Sequence, residues 1–324
     1  MLPAVLRPPS SVRPYLVLAL GVLAVSSSSF LITFALQDGM PAVAIAALRL
    51  TIAAVVLAPI ALARSRDELR RLAPRDLALA MISGVFLAFH FAFWISSLDY
   101  TSVMSSIVLV STNPLFVAFA SVVLLRESLR RGTIAGIAVA AIGGALVGLA
   151  DLGHASAGSL QGDVLALGGA VMVSGYLLIG RRLRGRLSLM AYISLVYSTT
   201  AVVLLATAFA MGIRLLGYSP AAYGLVILLA AGPQLIGHSS YNWALKYLSA
   251  TFITVTILAE PIGATVFAIP ILGQVPEPIK LAGGTLILIG IYLAARGEML
   301  TDDDRRKTKA NSFPSSVVGP PSRT

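Results

Sequence analysis

Leu98-Asp99-Tyr100-Thr101-Ser102 returns 147 residues later as Leu245-Lys246-Tyr247-Leu248-Ser249. The same ungapped displacement pairs Val108 with Val255, Pro114 with Pro261, Leu125 with Leu272, Ala135 with Ala282 and Gly136 with Gly283. It then pairs Ile142, Gly143 and Leu146 with Ile289, Gly290 and Leu293. A fixed long period over apolar, helix-length segments is the mark of an internal repeat. In a membrane protein, two such units usually close around one central pathway.

Of the 324 residues, 57% are hydrophobic and 12% charged, and the mean hydropathy is +0.88. A soluble domain carries about 25% charge, so the main solvent of this chain is lipid. There is no cysteine, which excludes disulfides and thiolate metal sites. No Gly-Lys dipeptide occurs, so there is no Walker A loop and no sign of ATP as a partner. No cofactor is implied. Measured against the ~20 apolar residues that cross a bilayer, ten spans are predicted: 15–36, 41–63, 77–98, 102–125, 132–150, 162–180, 189–211, 221–243, 249–273 and 278–295. The first is too long for a signal peptide and lacks a clear small-x-small cleavage site, so it is read as an uncleaved helix.

The net charge of +10 raises the question of nucleic acid, and the placement of the basic residues answers it. Arg64, Arg66, Arg70, Arg71, Arg75, Arg126, Arg130, Arg131, Arg181, Arg182, Arg184, Arg186, Lys246 and Arg296 all fall on one side of a ten-span threading. Arg214 and Lys280 alone fall on the other. Positive loops mark the cytoplasmic side, so both termini are expected inside, and the basic residues set orientation and meet anionic headgroups. Because each unit has five spans, the second enters from the opposite side: Asp99 is expected outside and its mate Lys246 inside. The expected fold is thus an all-α integral membrane protein, ten transmembrane helices as two inverted five-helix repeats. Residues 1–14 form a cytoplasmic segment, 15–150 the first repeat, 151–161 an outside linker and 162–296 the second repeat. Residues 297–324, with Asp302-Asp303-Asp304-Arg305-Arg306-Lys307 followed by Ser and Pro, read as a disordered cytoplasmic tail.

Few charged residues lie within the spans. A charge at the centre of a membrane helix costs about 3 kcal/mol or more unless paired or wetted. Arg49 is read as a structural charge held by a partner helix, and a direct pair with Glu260 is an open possibility. Asn113-Pro114 and Glu260-Pro261 occupy equivalent places, and proline removes one helical hydrogen bond. Symmetric breaks near the midplane point to a transport site, with Pro114 and Pro261 as hinges or kinks and Asn113 and Glu260 as binding residues. The third span carries His90 and Trp94, four apart and on one face, and the eighth carries Gln234, His238, Tyr241 and Trp243. His90, Trp94 and His238 are candidate substrate contacts, while Tyr241 and Trp243 read as interfacial belt residues. Tyr176 is a further candidate lining residue. Ser26-Ser27-Ser28-Ser29 suits either close helix approach or a wet path, and Gly132-x-x-x-Gly136 and Gly144-x-x-x-Gly148 are close-packing motifs.

Pro41-x7-Arg49, the Tyr100-Thr101-Ser102 turn, Pro114 and the Leu125-Arg126-Glu127 helix end, set in two five-helix units, resemble the EamA-type branch of the drug/metabolite transporter superfamily. YddG-like amino-acid exporters are the type most resembled, over about 15–296. The resemblance implies export of small metabolites, often amino acids, by alternating access. The second half departs from the first, with Gln274 in the place of Glu127 and Val196 or Tyr197 in that of Arg49.

The expected function is a secondary transporter or facilitator in the cytoplasmic (inner) membrane, exporting small metabolites such as aromatic or apolar amino acids. Its cavity is expected between spans 1, 3, 4, 6, 8 and 9. The alternative is another small solute: a nucleoside, a sugar or a lipid-like metabolite. Protons are a candidate partner, with Glu260 and His90 as the groups that would carry them. An intramembrane enzyme is disfavoured. Met172-Val173-Ser174-Gly175 lacks the leading glycine of a Gly-x-Ser-Gly protease motif, and no His-Glu-x-x-His occurs.

Overall fold

A computed structural model describes residues 12–101, 103–125, 129–149, 159–260, 262–264, 267 and 278–311. Among them there is no β-strand. The helices are α1 (Arg13–Ser26), α2 (Ser28–Gln37), α3 (Ala42–Arg64), α4 (Arg66–Arg70), α5 (Pro74–Ser97), α6 (Val103–Val110), α7 (Asn113–Leu125), α8 (Arg131–Leu149), α9 (Ser159–Arg184) and α10 (Leu189–Ala210). Then follow α11 (Pro220–Leu229), a π-helical segment (Ala230–His238), α12 (Ser239–Ala244), α13 (Ala250–Ile257) and α14 (Pro278–Asn311). Among the described residues, six stretches are long and apolar enough to cross a membrane: Arg13–Gln37, Ala42–Arg64, Pro74–Ser97, Leu160–Arg184, Leu189–Ala210 and Pro220–Ala244. The other four predicted spans hold shorter apolar helices or run into residues outside the described set.

Helix starts follow from local chemistry. Pro14, Pro74 and Pro220 sit in first turns, where a missing N–H costs nothing. The hydroxyls of Ser188, Ser219 and Ser249 cap α10, α11 and α13 by accepting from Ala191, Ala222 and Phe252 N–H.

Two helix breaks follow from proline, although Pro59 sits inside an unbroken α3. A proline ring clashes with the carbonyl four residues before it. Four residues before Pro114 is Val110, the last residue of α6, and four before Pro261 is Ile257, the last of α13. The interruptions at Ser111-Thr112 and Leu258-Ala259 are therefore repeat mates. Pro261 itself lies outside the described residues, as do Ser102, Arg126, Glu127 and Gln274. The π-helical segment contains Pro233, which has no N–H to donate. The chain also breaks at Ser27, where Ser26 and Ser27 hydroxyls turn back to Val22 and Ala24 carbonyls. Gly263 packs directly on Ser26, so part of the serine run serves close approach.

The two halves pack by exchanging contacts. α8 and α14 run antiparallel along a seam of small residues. A Cβ on Gly136 would lie 2.6 Å from Gly290 O, and one on Gly143 would lie 2.6 Å from Gly283 O. Gly136 and Gly283 are repeat mates, and so are Gly143 and Gly290, so each contact is the image of the other. Likewise Gly21 packs on Ser240 and its mate Gly168 on Phe93, the mate of Ser240. The first glycine motif is used as expected. In the second, Gly144 meets only Leu258, at 4.0 Å, and the close contact is made by its neighbour Gly143, which is outside the motif.

Two boundaries differ from expectation. α9 begins at Ser159, so the linker predicted for 151–161 ends earlier, and 151–158 lie outside the described residues. The tail expected to be disordered from Gly297 is helical as far as Asn311. The run of Asp302–Asp304 ahead of Arg305, Arg306 and Lys307 sets opposite charges three and four residues apart, a spacing that favours a helix.

Candidate functional site

A small cavity of about 40 Å³ is walled by Val25, His90, Trp94, Val110, Ser111, Asn113, Val173, Tyr176, Leu177, His238, Tyr241, Ile257 and Glu260. It draws on the first, third, fourth, sixth, eighth and ninth predicted spans. The sequence-derived candidates His90, Trp94, Asn113, Tyr176, His238 and Glu260 all stand on it. The helix breaks explain why: Asn113 opens α7 and Glu260 follows the interruption after α13, so both side chains leave the backbone at an irregular turn.

One wall is aromatic. His90 and Trp94 stack with ring centroids 5.9 Å apart and planes 10° from parallel. His90 Nδ1 is 3.0 Å from Gly169 O, which fixes the ring against α9. His238 meets Phe91 at 5.2 Å and Tyr241 at 5.7 Å. The other wall is polar. Tyr241 OH donates to Glu260 Oε1 at 2.8 Å. Asn242 Nδ2 reaches His238 O at 2.8 Å and also the Tyr176 hydroxyl. Several buried polar atoms around this space have no protein partner: Trp94 Nε1, Asn113 Oδ1, His238 Nδ1 and Asn242 Oδ1. Such atoms in an apolar interior mark places where a ligand or water completes the bonding.

Tyr241 is a correction. The sequence places it in an interfacial belt; it is 2% exposed and holds the carboxylate of the cavity. A signal was present, since Tyr241 is 147 residues after Trp94. Ser111 is a further lining residue that motif reasoning passed over.

Arg49 meets a partner helix, and the possible pair with Glu260 is not formed. The ion pair found among the described residues is Arg186–Asp76, 3.3 Å, at the surface. Arg49 is fully buried in α3, its Nε donating to Gln234 Oε1 at 3.0 Å and its guanidinium lying 4.4 Å over the Phe91 ring.

The model of the EamA-like transporter family matches residues 13–149 and again residues 160–296. The chain belongs to that family. The two matches lie 147 residues apart at both ends, the displacement of the repeat. A probable terminal-alkyne amino-acid exporter of Streptantibioticus cattleyicolor is 29% identical over 261 residues, 80% of this chain and 86% of that protein. An uncharacterised transporter of Archaeoglobus fulgidus is 27% identical over 258 residues, 78% of this chain and 88% of that protein. A protein of known crystal structure superposes with a TM-score of 0.72 at 21% identity, covering 90% of this chain and 99% of that one, a likeness of fold. This EamA-like chain is therefore a multi-pass membrane transporter acting on a small molecule, and nothing in its family or relatives points to an enzyme.

Proposed function

We propose that this EamA-like protein is a secondary transporter that exports small amphipathic metabolites, amino acids with aromatic or apolar side chains first among them, across the cytoplasmic membrane. Ten helices in two inverted halves, with both termini in the cytoplasm, would rock about the central cavity in alternating access. The observation that carries this reading is the composition of the cavity wall. Three pairs on it are repeat mates: Val110 with Ile257, Trp94 with Tyr241, and Asn113 with Glu260. The cavity thus lies where the halves exchange, the place a substrate occupies in repeat-built transporters. The chemistry of the third pair differs: one half offers an amide and the other a carboxylate. Two acceptors, Asn113 Oδ1 and Glu260, suit an ammonium group, and the His90–Trp94 stack suits an apolar or flat side chain. The name of the Streptantibioticus relative, an amino-acid exporter, points the same way.

Counterflow of labelled amino acids into liposomes holding the full-length protein tests this, with and without an imposed pH gradient. Flux of an aromatic or apolar amino acid is expected. Trp94→Ala should lower it roughly two- to tenfold, the scale of one aromatic contact, with the melting temperature in detergent kept. Unchanged flux would reduce Trp94 to packing. No flux for any amino acid would move the substrate to a nucleoside, a sugar or a lipid-like solute. Equal flux with and without the gradient would exclude proton coupling.

A further inference from the structure

Among the described residues, the least satisfied group in the interior is the Arg49 guanidinium. Only its Nε is bonded; Nη1 and Nη2 have no partner, and neither has Nε2 of Gln234, the residue that Nε meets. Three donor groups therefore sit side by side, fully buried, with no acceptor. The protein's other interior arginines are treated differently. Arg181 Nη1 donates to Leu245 and Leu248 carbonyls at 3.0 and 2.8 Å. Arg184 donates to the Asn242 and Leu187 carbonyls. Those two spend their donors on backbone carbonyls; Arg49 joins α3 to the π-helical segment through Nε alone and leaves both Nη groups unpaired.

Arg49 is joined to the cavity by a chain of ring contacts. Its guanidinium lies on Phe91, Phe91 on His238, His238 on Tyr241, and Tyr241 holds Glu260. Arg49 is within electrostatic range of Glu260 without touching it. Gln234 and His238 stand on the π-helical segment, four residues apart, a local geometry found often at functional sites. A guanidinium fork with an adjacent amide N–H is the donor set for a carboxylate.

We infer that Arg49 and Gln234 form the anion half of the substrate site, taking the carboxylate of a zwitterion whose ammonium rests between Glu260 and Asn113. This builds on the exporter reading and narrows it: the substrate carries both charges. Phe91 stands between the cavity and the fork, so the half-site completes when that ring moves aside.

The test uses full-length protein in liposomes and detergent, with phenylalanine and its decarboxylated analogue phenethylamine as probes. Wild type should favour phenylalanine, and Arg49→Gln should lower that preference on the order of tenfold or more, the worth of one charge-assisted hydrogen bond. Arg49→Lys should keep part of it. The empty Arg49→Gln protein should melt at the wild-type temperature or above, because an unpaired buried charge is removed. An unchanged preference in Arg49→Gln, with phenylalanine still carried, overturns the inference alone. So does a lower melting temperature that Arg49→Lys restores, which would make Arg49 a structural support. Wild-type protein indifferent to both probes overturns the amino-acid reading and the inference together.

Discussion

Tyr241 and Glu260 form the hydrogen bond that defines the polar wall of the cavity. Glu260 is partly buried, so losing this donor should cost a fraction of the ~1–3 kcal/mol typical of a fully buried acceptor. Tyr241→Phe should therefore lower the unfolding temperature in detergent, and should do so less in a Glu260→Gln background. A double-mutant cycle on thermal unfolding reads that coupling, and simple additivity would mean that the two side chains do not support each other. Glu260 was legible as a site residue because a carboxylate stands out in an apolar span. Tyr241 was not, because aromatic residues near Trp243 and Tyr247 resemble an interfacial belt; only its contact with Glu260 separates the two roles.

At the scale of elements, small residues decide how near helices come. The α8–α14 seam brings backbone against backbone at Gly136, Gly143, Gly283 and Gly290. A Cβ on Gly290 would sit 2.6 Å from Ala140 N, which cannot move without its helix. Gly290→Val should cost on the order of 1–3 kcal/mol, the usual scale of overpacking, seen as a lower melting temperature. Gly144→Ala, one residue from the seam, should stay within about 0.5 kcal/mol. A tolerated Gly290→Val would mean the helices are less tightly apposed than this. The seam was readable as a pair of glycine motifs, but the choice of Gly143 over Gly144 was not. These helices are apolar all round, so no polar stripe marks which side turns inward.

At the scale of the molecule, each end has its own ties. At the arginine-rich end, Ser188 N–H donates to Glu68, Arg186 pairs with Asp76, and the Ser65 and Ser188 hydroxyls lie 3.4 Å apart. At the opposite end Ser219 donates to Asp38, and Thr101 to Asp163 at 2.9 Å. If the halves rock, each set must loosen in turn. The chain has no cysteine, so Ser65→Cys with Ser188→Cys can be cross-linked cleanly. Oxidation should stop counterflow and reduction should restore it; full flux through the oxidised protein would mean that this end does not open. Orientation is tested by the same means. Met211→Cys should react with an impermeant thiol reagent in intact cells and Arg71→Cys should not, both positions being exposed. The reverse pattern would invert the proposed topology.

By itself the sequence determined the solvent, the helical class, the repeat and the two proline-linked helix breaks, though not the break at Ser27 or the π-helical segment. Hydropathy, proline sterics and a fixed period act locally or along the chain, and they can be read without coordinates. Tertiary structure decided which side chains share a space. Tyr241 meets Glu260, Arg49 lies on Phe91 beside Gln234 without touching a carboxylate, and three repeat-related pairs close one cavity. These meetings depend on how each helix is rotated about its axis and how far it slides along its neighbour. In an apolar chain, that choice is made by packing between distant segments.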